Sequence, residues 1–275
     1  MQLEEKNENI KYILALSDKE FYRYLGIKKE NFLLEIELIK KYEKINNIGR
    51  KSKFSAEVRV LMMHEYLKKY DTYEDMAIKY KTSKGTVWKC IDKIEKILIK
   101  NNLFFENRKK NLIQDKNLII DTTIVKINRP KKNQKKYYSG KHKYHGIKVQ
   151  LLINKNKEIR DLKIFNGKIH DKKCFDKSKL NISENSLLIT DLGYCGIEKI
   201  HKKVSIPKKN YKNNPLTKKN KEQNKKISKK RVKIEHCFGS LKRFKILSTR
   251  YRNKLSKFFL HICLIAGFYA SDMLL

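Results

Sequence analysis

A chain of 275 residues with 40% hydrophobic and 10% aromatic content is long enough for one sizeable core or two smaller ones. Its 66 Lys and Arg against 29 Asp and Glu leave a formal charge of +37, so self-repulsion calls for a polyanionic partner, nucleic acid before an acidic membrane surface. Part of the Lys excess accompanies many Asn and Ile, as in translated AT-rich DNA, but that bias explains neither the shortage of acids nor the clustering of basic runs. Cys90, Cys174, Cys195, Cys237 and Cys263 are scattered without a C-x-x-C pair, which excludes a disulfide framework and a structural zinc site and fits a reducing compartment. The polar start "MQLEEKNENI" reads as neither signal nor transit peptide.

Residues 10–45 carry apolar side chains at helical spacing, with Gly26 between two short helices. A polar turn, "NNIGRKSKFS", follows. "SAEVRVLMMHEYLKKY" predicts an amphipathic helix, "TYEDMAIKYK" a short one, and "TSKGTVWKCIDKIEKILIK" a longer one opened by Thr82 or Ser83. That layout is a helix-turn-helix over about residues 55–99, with an ordinary three-helix packing unit as the alternative. Ser83, Lys84, Thr86 and Lys89, at the start of the second helix, are then the candidate DNA contacts, and Val87 and Trp88 are assigned to the core.

The period then changes. "NLIIDTTIVKI", "HGIKVQLLINKNKEIRDLKIFNG" and "NSLLITDLGYCG" are β-branched runs bounded by turn residues, with "NKNKE" as a hairpin tip. "KYYSGKHKYHGIK" interleaves tyrosines with Lys141, Lys143 and Lys148, a pattern that grips backbone and stacks bases; tyrosines on an exposed hairpin face are the alternative. "PKKNYKNNPLTKKNKEQNKKISKK" predicts a basic loop, with helix returning from about Lys230. The apolar stretch near the C-terminus is interrupted by His261, Ser271 and Asp272 and reads as a buried closing helix, not a membrane anchor. The plan is a helical unit at 1–107 and a mixed α/β domain at 108–275.

Three acids stand out in this basic chain. Asp121 and Asp191 each end an apolar run, "LIIDTT" and "LLITD", as strands that deliver a side chain to a site do, although turn-starting aspartates look the same. Glu235 is a lone acid in "RVKIEHCFGSLKRFKIL". Two aspartates and a helical glutamate suit hard-oxygen ligation of two Mg²⁺ or Mn²⁺ ions for in-line displacement at phosphorus. Surrounding Lys and Arg would hold the phosphates. Asp171, in "GKIHDKKCF", is an alternative second ligand or a turn or N-cap residue; His145 and His236 could touch phosphates.

"LIIDTT", "YYSGKHKYHGIKVQ", "GKIHDKKCF", "LLITDLGYCGI" and "RVKIEHCFGSLKRFKIL", in this order, resemble the bacterial insertion-sequence transposases of the DDE type, insertion-sequence-five-like branch, from about Ser55 onwards. The resemblance implies an α/β, ribonuclease H-like catalytic domain behind the all-α helix-turn-helix unit, and cut-and-paste chemistry at terminal inverted repeats. It implies Asp121, Asp191 and Glu235 as catalytic metal ligands, with Arg231, Lys242 and Arg243 on DNA. It further implies double-stranded DNA as partner, a homodimer in the DNA complex, no membrane, and a cytoplasmic, nucleoid-associated bacterial protein. The chain departs from the pattern at Ser228, where a Tyr is usual, and at Leu192, where a basic or polar residue is common. It also lacks a long insertion between Asp191 and Glu235. A domesticated or decayed relative that binds specific DNA without cutting is the rival reading.

Overall fold

A computed structural model describes residues 10–46, 52–101, 112–213 and 215–274. They fall into two compact units. One holds the described residues up to Phe104 with Leu241–Ser248 and Asn253–Leu275; the other holds those of Phe105–Ser240 with Thr249–Arg252. The expected boundary near residue 107 lies outside the described residues, as does part of the turn around Gly49.

The first unit is helical. α1 (Asp18–Leu25) starts at a capping box in which Ser17 and Glu20 exchange hydrogen bonds, satisfying N–H groups that a helix start leaves open. It stops at Gly26, whose φ of +80° favours glycine and whose missing side chain leaves room for the Phe244 ring; a Cβ there would lie 2.9 Å from it. α2 (Lys29–Ile45) packs beside α3 (Ala56–Lys69), which is buried from Val58 to Leu67. α4 (Tyr73–Lys79) has a Thr72/Asp75 capping box, and α5 (Lys84–Lys100) is capped by Ser83. Val87 is fully buried, but Trp88 is 43% exposed, with the Lys257 ammonium over its ring. The core assignment of Trp88 is therefore corrected: Val87, Cys90, Ile91 and Ile94 already fill the inward stripe of α5, which turns Trp88 outward.

Polar groups inside this unit are paired. Glu65, 2% exposed on α3, accepts from Tyr24, Lys69, Lys79 and Tyr80. The segment Leu255–Leu274 is long and apolar enough to cross a membrane, yet more than half of it is buried in the protein. Its final helix, here α8 (Phe258–Leu274), carries His261 to Glu95 at 3.0 Å and Asp272 to Asn31 at 2.8 Å. Those ties are those of a core helix.

The second unit is built on a sheet. β1 (Asn117–Lys126) runs antiparallel to β3 (Tyr144–Asn154), and β3 runs antiparallel to β4 (Ile159–Asn166) across the expected hairpin tip. The two-residue β2 (Tyr138–Ser139) pairs with the start of β3. A crossover through α6 (Asp171–Ser178) leads to β5 (Leu187–Ile189), parallel to β1, and β6 (Val204–Ser205) is parallel to β5. A layer of Leu118, Ile120, Leu152, Phe175, Leu188, Tyr194 and Ile197 forms a core under α6. Each of these side chains contributes about 1.5–3 kcal/mol by leaving water.

α7 runs from Lys218 to Lys242. The stretch read as loop up to residue 230 is thus helical from Lys218. Lys, Asn, Gln and Glu give no apolar period to read, yet Lys, Gln and Glu are adequate helix formers, and Thr217 accepts the Asn220 N–H at the start.

Candidate active site

The parallel register of β1 and β5 builds the site. Their last pair is Ile119 with Ile189, and Asp121 and Asp191 each stand two residues beyond it. The two carboxylates therefore leave neighbouring strands at the same level. Asp121 is not at a strand end: β1 continues to Lys126, paired there with β3 alone, and it is β5 that stops. Asp191 also takes the turn-starting role, accepting the Gly193 N–H at 2.9 Å to open the turn Leu192–Tyr194.

Asp121 accepts the Thr122 N–H at 2.7 Å on one oxygen and Arg231 of α7 at 3.0 Å on the other. Burial raises its pKa, the Arg231 guanidinium lowers it, and the Asp191 charge raises it, with the balance above the ordinary carboxylate value. One arginine does not offset burial beside a second acid.

A third aspartate lies near Asp191 but is held through Thr122, whose side chain alternates to the sheet face opposite Asp121. Asp171, first residue of α6, accepts from Thr122 Oγ1 and Lys148 Nζ, both at 2.6 Å. Asp171 thus ties α6 to β1 and β3, and the N-cap position falls to His170, whose side chain makes no capping bond. Gly193 is wedged between the carboxylates: a Cβ on it would lie 2.9 Å from Asp171 Oδ2 and 3.0 Å from Asp191 Oδ1. Below them the fully buried Tyr194 has its pKa pushed well up by burial, then by Asp121, Asp171 and Asp191. Its Oη has no hydrogen-bond partner among the described residues. Sequence reasoning gave Asp171 a lesser part, read Lys148 only as one of the basic residues among the tyrosines, and passed over Thr122 and Tyr194. Only the cross-strand register, which sets Thr122 opposite Gln150 and Ile124 opposite Lys148, brings them to one face.

Glu235 is exposed and lies four residues after Arg231 on α7, about 6 Å along the helix. Among the described residues no three His, Cys, Asp or Glu side chains are gathered closely enough to hold a metal ion. Asp121 and Asp191 offer carboxylate oxygen, the hard donor type that a divalent cation takes, with no third acid gathered beside both of them among the described residues.

The other expected contacts are dispersed. Ser83 Oγ accepts the Thr86 N–H at 3.2 Å, Lys84 pairs with Glu74, and Lys89 is exposed. Lys141 and Lys143 project from the turn between β2 and β3. In the helical unit Lys242 is half-buried, which lowers its pKa, and Arg243 donates to Gly26 O at 2.8 Å and Asp272 at 3.2 Å. Arg243 also lies over the Tyr22 ring. His145 stacks edge-on to Tyr138, and His236 is exposed.

Residues 120–267, which include Asp121, Asp191 and Glu235, match the family described as DDE superfamily endonuclease. The chain is 37% identical over 266 residues to the "Probable transposase for insertion sequence element IS702" of Microchaete diplosiphon, covering 94% of this chain and 96% of that one. It belongs to the insertion-sequence transposases of the DDE type. No solved structure matches it. Family membership makes the register of Asp121 with Asp191 the natural place to look for chemistry in this transposase.

Proposed function

We propose that this transposase cleaves DNA at terminal inverted repeats and joins the freed 3′ ends to target DNA, with Asp121, Asp191 and Glu235 as its catalytic acids. The observation that carries the proposal is the shared level of Asp121 and Asp191 beyond the Ile119–Ile189 pair, where Asp121 stays above its ordinary pKa despite Arg231. Acids left short of positive charge are candidates for function. The sheet order, three antiparallel strands followed by two strands parallel to β1, supports a ribonuclease H-like reading of the catalytic domain.

The two aspartates, completed by Glu235, would hold Mg²⁺ or Mn²⁺, in a pair of ions. Bound there, such ions activate an attacking oxygen and stabilise the leaving one. Arg231, now neutralising Asp121, would exchange that carboxylate for a DNA phosphate. Lys148, fixed by Asp171, adds positive charge beside the same strands. Lys141 and Lys143 would hold the backbone further out, and Lys242 would extend the basic face of α7.

The helical unit supports a helix-turn-helix reading through α4, the sharp turn at Lys81–Ser83 and α5, whose first two turns present Lys84, Thr86 and Lys89. Arg243 serves as an internal strut in this reading. The working assembly is a homodimer on double-stranded DNA, associated with the bacterial nucleoid.

Supercoiled plasmid tests the proposal. Wild type nicks it in Mn²⁺ and not in EDTA, and Asp121→Asn leaves it intact while still retarding DNA on a gel. Binding by wild type with no nicking in either metal would instead establish the DNA-binding protein that no longer cuts.

A further inference from the structure

An open groove of about 430 Å³ lies in the sheet unit, with Leu192 in its wall. Leu192 follows Asp191 directly and is 41% exposed, at the position where the family pattern usually has a basic or polar residue. Ile206, Pro207 and Leu216 add apolar lining, Tyr211 is 56% exposed beside them, and the one acid in the wall, Glu198, accepts the Gly196 N–H at 3.0 Å. Lys208 and Lys209 form the rim, with the Lys209 ammonium 5.1 Å from the Tyr211 ring centre.

The groove is built rather than incidental. The side chain of Asn224 on α7 holds the backbone of Lys208 from both sides, accepting its N–H at 2.8 Å and donating to its carbonyl at 2.9 Å. Asn220 accepts the Lys208 ammonium at 3.0 Å. Asn210 in turn accepts the Leu216 N–H at 3.1 Å, closing the strap on itself. The segment carrying the aromatic ring and both lysines is thereby pinned to the same helix that carries Arg231 and Glu235.

We propose that this groove binds one unpaired nucleotide of the DNA next to the scissile position, its base against Tyr211 and Leu192 and its phosphate at Lys208 and Lys209. The proposal rests on the transposase function above and deepens it. A paired duplex keeps its apolar base faces stacked inside and shows the protein phosphates and groove edges. Only an unpaired nucleotide offers a flat apolar face and a phosphate together, which is what an aromatic and apolar lining under a lysine rim receives. The net charge of +37 disfavours a basic peptide as occupant. Leu192 is then explained: a charged residue there would put a polar group against the base.

The test uses the full chain and a short duplex, either blunt or with an unpaired 3′ tail carrying 5-iodouracil. Affinity is read by fluorescence anisotropy, and the photochemical cross-link is mapped by mass spectrometry. Wild type binds the tailed duplex about 10-fold more tightly than the blunt one, within the range for stacking one base. The tail cross-links to Tyr211. Tyr211→Ala loses the preference and keeps blunt-duplex affinity; the ring is exposed, so the unchanged fold is verified by thermal denaturation. Asn224→Ala, which frees the strap, lowers the preference in the same direction. Equal binding of tailed and blunt duplex by wild type, or a preference that survives Tyr211→Ala, overturns the groove assignment alone. Failure to bind either duplex overturns it together with the function it rests on.

Discussion

Glu65 and Asp121 are both buried acids, and the protein treats them in opposite ways. Burial raises the pKa of each. For Glu65 in the helical unit, Lys79, Tyr24 and Lys69 more than reverse it, holding the carboxyl at about 2. For Asp121 in the sheet unit, Arg231 alone does not, and Asp191 adds a like charge, so the carboxyl stays raised. A surrounded carboxylate is a structural anchor, whereas an under-compensated one is poised to accept positive charge from outside. Arg243 follows the pattern of the helical unit, donating to Gly26 O and to Asp272.

The largest way to sharpen that contrast is to neutralise each acid. Asp191→Asn is expected to lower plasmid nicking by about 1,000-fold or more while leaving the thermal midpoint within a few degrees, since the carboxylate stabilises the fold little. Glu65→Gln should do the reverse. Breaking a buried ion network costs about 3 kcal/mol or more, roughly 10 °C in the melting of the helical unit, with residual nicking at a permissive temperature. Comparable melting losses in both variants would erase the distinction drawn here.

Acid titration sharpens it further. The folded pKa of Glu65, about 2, lies below its ordinary 4.5, so its contribution is complete above pH 4.5 and lost as pH falls toward 2. Wild type should therefore lose stability to urea more steeply than Glu65→Gln over that window, by about 3 kcal/mol across it. Parallel curves would refute the anchoring role.

Gly193→Ala makes a smaller intrusion. The added methyl presses on Asp171 and Asp191, and nicking is expected to fall about 10-fold with no change in melting, as for a small misplacement of reacting groups. An unchanged rate would show that the carboxylates need not sit where the glycine lets them. Smallest is Lys84→Ala, whose exposed pair with Glu74 contributes little to stability. A several-fold loss of DNA affinity with a salt dependence lowered by about one ion would mark it as a phosphate contact.

How much of this was legible in the sequence follows from which interactions are local. The runs around Asp121 and Asp191 declare strands because their apolar β-branched residues are contiguous. The β3–β4 hairpin declares itself through "NKNKE". β6 has two residues and owes its existence to β5, so no pattern could reveal it. The start of α7 is hidden because an exposed Lys/Asn helix carries no apolar stripe. Asp171 escaped emphasis because its role is set by Thr122 and Lys148, on two strands whose register no local motif encodes. Membership of Asn253–Leu275 in the helical unit is likewise a non-local fact, carried by pairs such as His261 with Glu95.

The place of Glu235 among the catalytic acids is decided by Glu235→Gln, assayed for nicking of supercoiled plasmid in Mn²⁺ and for DNA retardation in the same preparation. The variant is expected to retard DNA as wild type does and not to nick. Nicking at the wild-type rate would contradict that assignment, leaving Glu235 an exposed acid on a DNA-facing helix and the chemistry to the aspartates alone.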